Sequence, residues 1–142
     1  MAVAELSLDE LQAWGRRFGA SLTPPAVITL TGDLGAGKTT LVQAIAAGLG
    51  VTDEVTSPTY GIAHRYASAR GPVWHFDLYR LRRPEELAQV GWDDAIASDG
   101  VVLVEWPEIA ARLMPSRHVA IRLEQVEGAE ARRRLHWPEA SV

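Results

Sequence analysis

The chain has no cysteine and no asparagine, and of its 14 Lys+Arg residues only Lys38 is a lysine. The missing cysteine excludes disulfides, thiol nucleophiles and cysteine-based metal sites, and it suits a reducing compartment. The missing asparagine excludes the Asn-Lys-x-Asp guanine motif of GTPases, which leaves adenine as the better base. Long apolar runs are also absent: Val101–Val104 is typical, far short of the roughly 20 residues that span a bilayer. Met1-Ala-Val-Ala-Glu-Leu6 has neither a basic n-region nor a long apolar h-region, so no signal peptide and no membrane contact are expected, and cytoplasm is the default. Excess positive charge is lacking too. A net charge of −4 at pH 7 argues against an autonomous nucleic-acid binder. The arginine clusters Arg80, Arg82, Arg83 and Arg132, Arg133, Arg134 read as solvated faces rather than an RNA site. His64, His75, His118 and His136 have no metal-ligand spacing.

What remains is an ordinary globular balance, 47% hydrophobic and 23% charged over 142 residues, which fits one domain, 1–142, with its own core. Ser7-Leu-Asp-Glu10 is a capping box, and Leu8, Leu11, Gly15 and Phe18 recur behind it at helical spacing, so a helix of about three turns is expected. Thr23-Pro-Pro25 ends that unit. Ala26–Thr31 is a short, β-branched run that reads as a buried strand. A glycine loop follows, then a helix over Lys38–Leu49 closed by Gly50. Tyr60–Tyr66 and Val73–Tyr79 read as strands joined by a loop at Ser68–Pro72. Pro84 opens a short helix through about Val90, and Gly91-Trp92 begins another. Val101–Val104 reads as a strand buried on both faces. Pro107–Met114 is a short helix, and His118–Leu123 and Arg133–Trp137 form a last strand pair around Glu127-Gly128. The strand, glycine loop and helix make one unit of an α/β fold.

Gly32-x-x-x-x-Gly37-Lys38-Thr39 satisfies the phosphate-binding pattern G-x-x-x-x-G-K-[ST] in full, between an apolar strand and an amphipathic helix, which is the context that the motif requires. Glycines let successive N–H groups point into one concavity, and the following helix adds its positive dipole end. Lys38 would reach the β- and γ-phosphates and Thr39 would ligate Mg²⁺. A P-loop enzyme also needs an acid on a second strand. Glu105 projects from the end of Val101–Val104, where Asp is usual; it is either a metal-associated acid or a solvated strand-end charge. Asp77 lies in His75-Phe-Asp-Leu-Tyr79, where alternation puts His75, Asp77 and Tyr79 on one face and Trp74, Phe76 and Leu78 on the other. That polar face is a site or a solvent face. Thr56-Ser57-Pro58-Thr59 offers hydroxyls for a switch-like γ-phosphate sensor at Thr56, Ser57 and Thr59, or is a plain turn. No long arginine-rich lid follows the P-loop helix, unlike the small nucleotide kinases.

Gly32-Asp-Leu-Gly-Ala-Gly-Lys-Thr-Thr40, Val55-Thr-Ser-Pro-Thr-Tyr60, His75-Phe-Asp-Leu-Tyr-Arg80 with Pro84-Glu-Glu-Leu87, and Val102-Leu-Val-Glu-Trp-Pro107 together resemble the TsaE (YjeE) family, over most of the chain. These are small bacterial P-loop ATPases of N6-threonylcarbamoyladenosine (t6A) modification of tRNA. The resemblance implies a P-loop NTPase-like three-layer α/β fold with a mixed, largely parallel central sheet. It implies ATP hydrolysis, weak alone and stimulated by the partner proteins TsaD and TsaB, with ATP/ADP and Mg²⁺ as cofactors and tRNA touched only indirectly. By resemblance Lys38, Asp77 and Glu105 are the catalytic set, and Thr39 and Glu105 the Mg²⁺ set. ATP would be held by Gly35, Ala36, Gly37, Lys38, Thr39 and Thr40, with Trp106 beside it and Ser7 near the adenine. Family members read G-R-x-x-R near the C-terminus; here the run is Gly128-Ala-Glu-Ala-Arg132, so an arginine is replaced at Ala129 and Arg132 alone is carried over. A small-molecule kinase and a non-hydrolytic nucleotide-sensing assembly module stay open as alternatives.

Overall fold

The computed structural model describes residues 1–33, 35–52 and 62–138. Among them, seven strands form one sheet: β1 Ala2–Ser7, β2 Ala26–Thr31, β3 Ala63–Tyr66, β4 Val73–Asp77, β5 Val101–Glu105, β6 Val119–Val126 and β7 Ala129–Trp137. Their spatial order is β1-β7-β6-β2-β5-β4-β3. The four middle strands, β6, β2, β5 and β4, are mutually parallel, and antiparallel strands complete both edges. This is the mixed α/β architecture expected.

The burial pattern follows the chemistry of each strand. All five residues of β5 are buried, because β5 is central and both of its faces are covered. Leu103 belongs to one core and Val102 and Val104 to the other. Against the first face lie α1 (Leu8–Ser21) and α2 (Lys38–Gly48). Against the second lie two 3-10 helices, Pro84–Val90 and Pro107–Leu113, and the short α3, Trp92–Ala97. Three layers result.

Helix α1 starts as its sequence dictates. The Ser7 hydroxyl accepts from the Glu10 backbone N–H at 3.2 Å, and the Glu10 carboxylate accepts from the Ser7 N–H at 2.8 Å. At 14 residues it is longer than the three turns expected. It crosses α2 closely through glycine: a Cβ on Gly48 would sit 2.2 Å from the Arg16 carbonyl oxygen, and one on Gly19 would sit 2.2 Å from that of Ile45. Strand β1 was not foreseen. It alternates partly buried and exposed residues and pairs with β7, from Ala2 opposite Trp137 to Ser7 opposite Arg132. Both proline-led helices are 3-10 rather than α. Thr56, Ser57 and Thr59 lie outside the described residues.

Candidate functional site

The carboxyl ends of β2, β5 and β4 meet at one edge of the sheet, the position where open α/β sheets bind ligands. Register puts Leu30 beside Glu105 and Glu105 beside Asp77. The chain leaving β2 enters the glycine loop there. Gly37 is the N-cap of α2 at φ 100° with no side-chain cap. Only glycine adopts that backbone cheaply, and the uncapped N–H groups of the first turn stay available to an anion. Gly32 is pressed from outside: a Cβ there would lie 2.4 Å from the Leu123 carbonyl oxygen.

Lys38 is only 5% exposed. Its Nζ donates to the Gly32 carbonyl and, at 2.8 Å, to the Asp33 carbonyl. It also lies 4.2 Å from the centre of the Trp106 ring, a cation–π distance. Burial pulls the Lys38 ammonium below its ordinary pKa, and the charges of Glu105, Asp77, Asp33 and Glu108 partly restore it. A cation held in this way favours a polyanion, whose charge would offset the lost hydration. Trp106 has φ 55°, a left-handed conformation unusual for a bulky residue. It turns the chain from β5 into Pro107, and its ring meets Tyr79 at 4.9 Å between centroids.

Glu105 is 2% exposed, so it is not a solvated strand-end charge. One carboxylate oxygen, Oε2, accepts from His75 Nε2 at 2.6 Å, and the other, Oε1, accepts from the Thr39 hydroxyl at 3.4 Å. Asp77, partly buried on the neighbouring strand end, accepts from the Tyr79 N–H at 3.2 Å. The cleft between these groups has a volume of about 440 Å³ and is lined by Lys38, Thr39, Thr40, Asp77, Glu105 and Trp106, with Gly35, Gly37, Tyr79, Leu8 and Arg133. Among the described residues, hollows of about 500 and 560 Å³ also lie elsewhere. The smaller of these is lined by Arg83, Glu85, Glu86 and Gln89. Neither is lined by the glycine loop or by Glu105, so chemistry rather than size selects the cleft.

The structure thus brings Gly35, Gly37, Lys38, Thr39, Thr40, Asp77, Glu105 and Trp106 together. Ala36, within the loop, is fully buried. Ser7 is engaged in the helix cap. Arg132 is not among the residues that line the cleft. It donates to the Glu5 carbonyl at 2.9 Å and lies 3.8 Å from the Glu10 carboxylate. Its neighbour Arg133 lines the cleft instead, donating to the Ala36 carbonyl at 3.0 Å and the Gly35 carbonyl at 3.3 Å. Adjacent strand residues point to opposite faces, which is why one arginine reaches the loop and the other does not. The available signal for Arg133 was its membership of the 132–134 cluster. The signal for His75 was its place on the Asp77 face.

A parallel strand, an uncapped glycine loop and a helix with a buried lysine define a P-loop protein. The family model described as "Threonylcarbamoyl adenosine biosynthesis protein TsaE" matches residues 6–135. Proteins named "tRNA threonylcarbamoyladenosine biosynthesis protein TsaE" are similar. That of Haemophilus influenzae is 37% identical over 121 residues, which is 82% of this chain and 77% of the relative. That of Bacillus subtilis is 37% identical over 117 residues, 82% and 73% respectively. That of Nostoc sp. is 43% identical over 97 residues, 66% of this chain and only 60% of the relative's length. The crystal structure of Bacillus subtilis YdiB superposes with a TM-score of 0.75 at 30% identity, covering 96% of this chain and 86% of that one. The chain belongs to the TsaE family, and its role lies in t6A biosynthesis on tRNA.

Proposed function

We propose that the cleft binds ATP with Mg²⁺ and hydrolyses it, as an accessory ATPase of t6A formation that the TsaB–TsaD complex activates. The observation that carries this reading is the convergence of Lys38, the uncapped N-terminus of α2, Thr39 and the buried Glu105 on one cleft. The donor set fits a hard cation. Among the described residues no three His, Asp or Glu side chains gather as an all-protein cage. Mg²⁺ is normally held by one or two carboxylates together with substrate phosphates and waters, and Thr39 with Glu105 offers that partial set.

The residues would act as follows. The Gly35–Thr40 backbone N–H groups cradle the phosphates, and Lys38 offsets charge at the β- and γ-phosphates. The Thr39 hydroxyl and Glu105 Oε1, turned toward one another, hold the cation. Asp77, one strand over, is placed to orient a water or take its proton. When bound, Mg²⁺ supplies neutralisation of charge on the transferring phosphoryl group. The Trp106 ring covers the Lys38 ammonium on one side. Arg133 ties the glycine loop to β7 through the Ala36 and Gly35 carbonyls.

The net charge of −4 fits action through protein partners better than through direct tRNA binding. The test is rescue of tRNA t6A in cells depleted of their own family member. Wild-type chain restores the modification. Glu105→Gln, if it still binds ATP, does not. Full rescue by such a variant would instead favour a nucleotide-sensing module, and γ-phosphate transfer to a metabolite would favour a kinase.

A further inference from the structure

We propose that His75 is a positioning residue for the cation-associated carboxylate: it holds one oxygen of Glu105 so that the other faces Thr39. The inference rests on the Mg²⁺–nucleotide reading of the cleft. His75 is fully buried and stands on β4 on the same face as Asp77. Parallel register pairs Asp77 with Glu105 and His75 with Leu103, so the imidazole lies one pleat deeper than the carboxylate and approaches it from inside the sheet. A carboxylate oxygen only accepts, so His75 Nε2 carries the hydrogen across the 2.6 Å contact with Oε2. Oε1 is thereby left toward Thr39 at 3.4 Å.

Two further observations point the same way. Nδ1 of His75 has no hydrogen-bond partner among the described residues. The ring therefore makes its polar contact at Nε2 and leaves its other nitrogen unsatisfied, an arrangement that packing alone does not favour. Moreover, glutamate stands at a position where P-loop proteins usually place aspartate. The extra methylene adds a free torsion, so a glutamate needs an external hold to present one oxygen reproducibly. Second-layer partners of metal-binding carboxylates provide that hold.

The experiment measures Mn²⁺ affinity by electron paramagnetic resonance with ADP bound, in the intact chain. His75→Leu is expected to weaken Mn²⁺ about 10- to 100-fold, with metal-free ADP affinity unchanged. His75→Gln, whose amide reaches the Nε2 position, recovers most of the loss. His75→Asn, equally polar but too short, does not, and this comparison stands if the leucine variant fails to fold. In a Glu105→Gln background, His75→Leu adds less than about twofold, because both changes break one linkage. A full further loss in that background, or equal behaviour of the glutamine and asparagine variants, overturns the positioning role. Wild-type chain that binds ADP but no Mn²⁺ overturns the metal reading itself, and this inference with it.

Discussion

Gly48→Ala is predicted to destabilise the protein, against the expectation from helix propensity. Alanine is favoured over glycine inside a helix by about 1 kcal/mol, and Gly48 is the last residue of α2. The structure opposes that gain. The new Cβ would sit 2.2 Å from the Arg16 carbonyl oxygen and 2.9 Å from both the Ala20 nitrogen and the Arg16 carbonyl carbon. All three are backbone atoms of α1, so no side chain can rotate away. Real Cβ contacts essentially never fall below 3.0 Å, so α1 and α2 must part by about 0.8 Å. The seam that opens holds Leu11, Phe18, Leu41 and Ile45, all buried. Overpacking of this sort costs roughly 1–3 kcal/mol, and the propensity gain offsets about 1 of it at most. At an end position little of that gain applies. The net loss is then about 1–3 kcal/mol, or a melting temperature lower by roughly 2–12 °C for a chain of this size. Thermal unfolding followed by far-ultraviolet circular dichroism measures it. An unchanged or raised melting temperature would refute the close crossing and the placement of α2 against α1.

Other outcomes follow from single contacts. An amine-reactive reagent is expected to modify the N-terminus quickly and Lys38 slowly in the native chain, because Lys38 is buried and its Nζ is engaged; peptide mapping should show rapid Lys38 modification only after unfolding. Ser7→Ala removes the hydroxyl of the capping box and should cost about 1 kcal/mol in urea unfolding. The backbone N–H of Ser7, then its hydroxyl, holds the Glu10 carboxyl below the ordinary carboxylate range. Its contribution is therefore complete above the unfolded-state pKa and fades as pH falls through the lower folded value. Glu10→Gln should flatten that acid limb of the stability curve, and an unchanged limb contradicts the cap. Arg133→Ala is expected to weaken ADP binding roughly tenfold by releasing the loop carbonyls, whereas Arg132→Ala changes it little; calorimetric titration separates them.

How much of this could be read from the residues depends on how local the cause is. The phosphate loop, the capping box and β5 are written in short-range spacing: a fixed motif, a hydroxyl three residues before Glu10, and an unbroken apolar run. The two candidate acids were read from strand ends, and Glu105 and Asp77 fall side by side in register. Strand β1 was hidden because Ala2–Ser7 is composed largely of small or weakly β-forming residues and exists through its pairing with β7. The choice between Arg132 and Arg133 turns on strand phase, and the irregularity between Gln125 and Val126 in β6 blurs that phase in the sequence. The burial of His75 was not legible, since alternation assigns a face but not what covers it. The polar partner of His75, Glu105, is 30 residues away in the chain.

Hydrolysis of Mg²⁺-ATP in this cleft for a partner complex is open to one decisive assay: phosphate release by the purified chain, measured alone and with TsaB–TsaD. A low rate alone that rises severalfold with the partners, and that Lys38→Ala and Glu105→Gln both abolish, is the predicted result. No stimulation by the partners, or a rate that is indifferent to both substitutions, would contradict it.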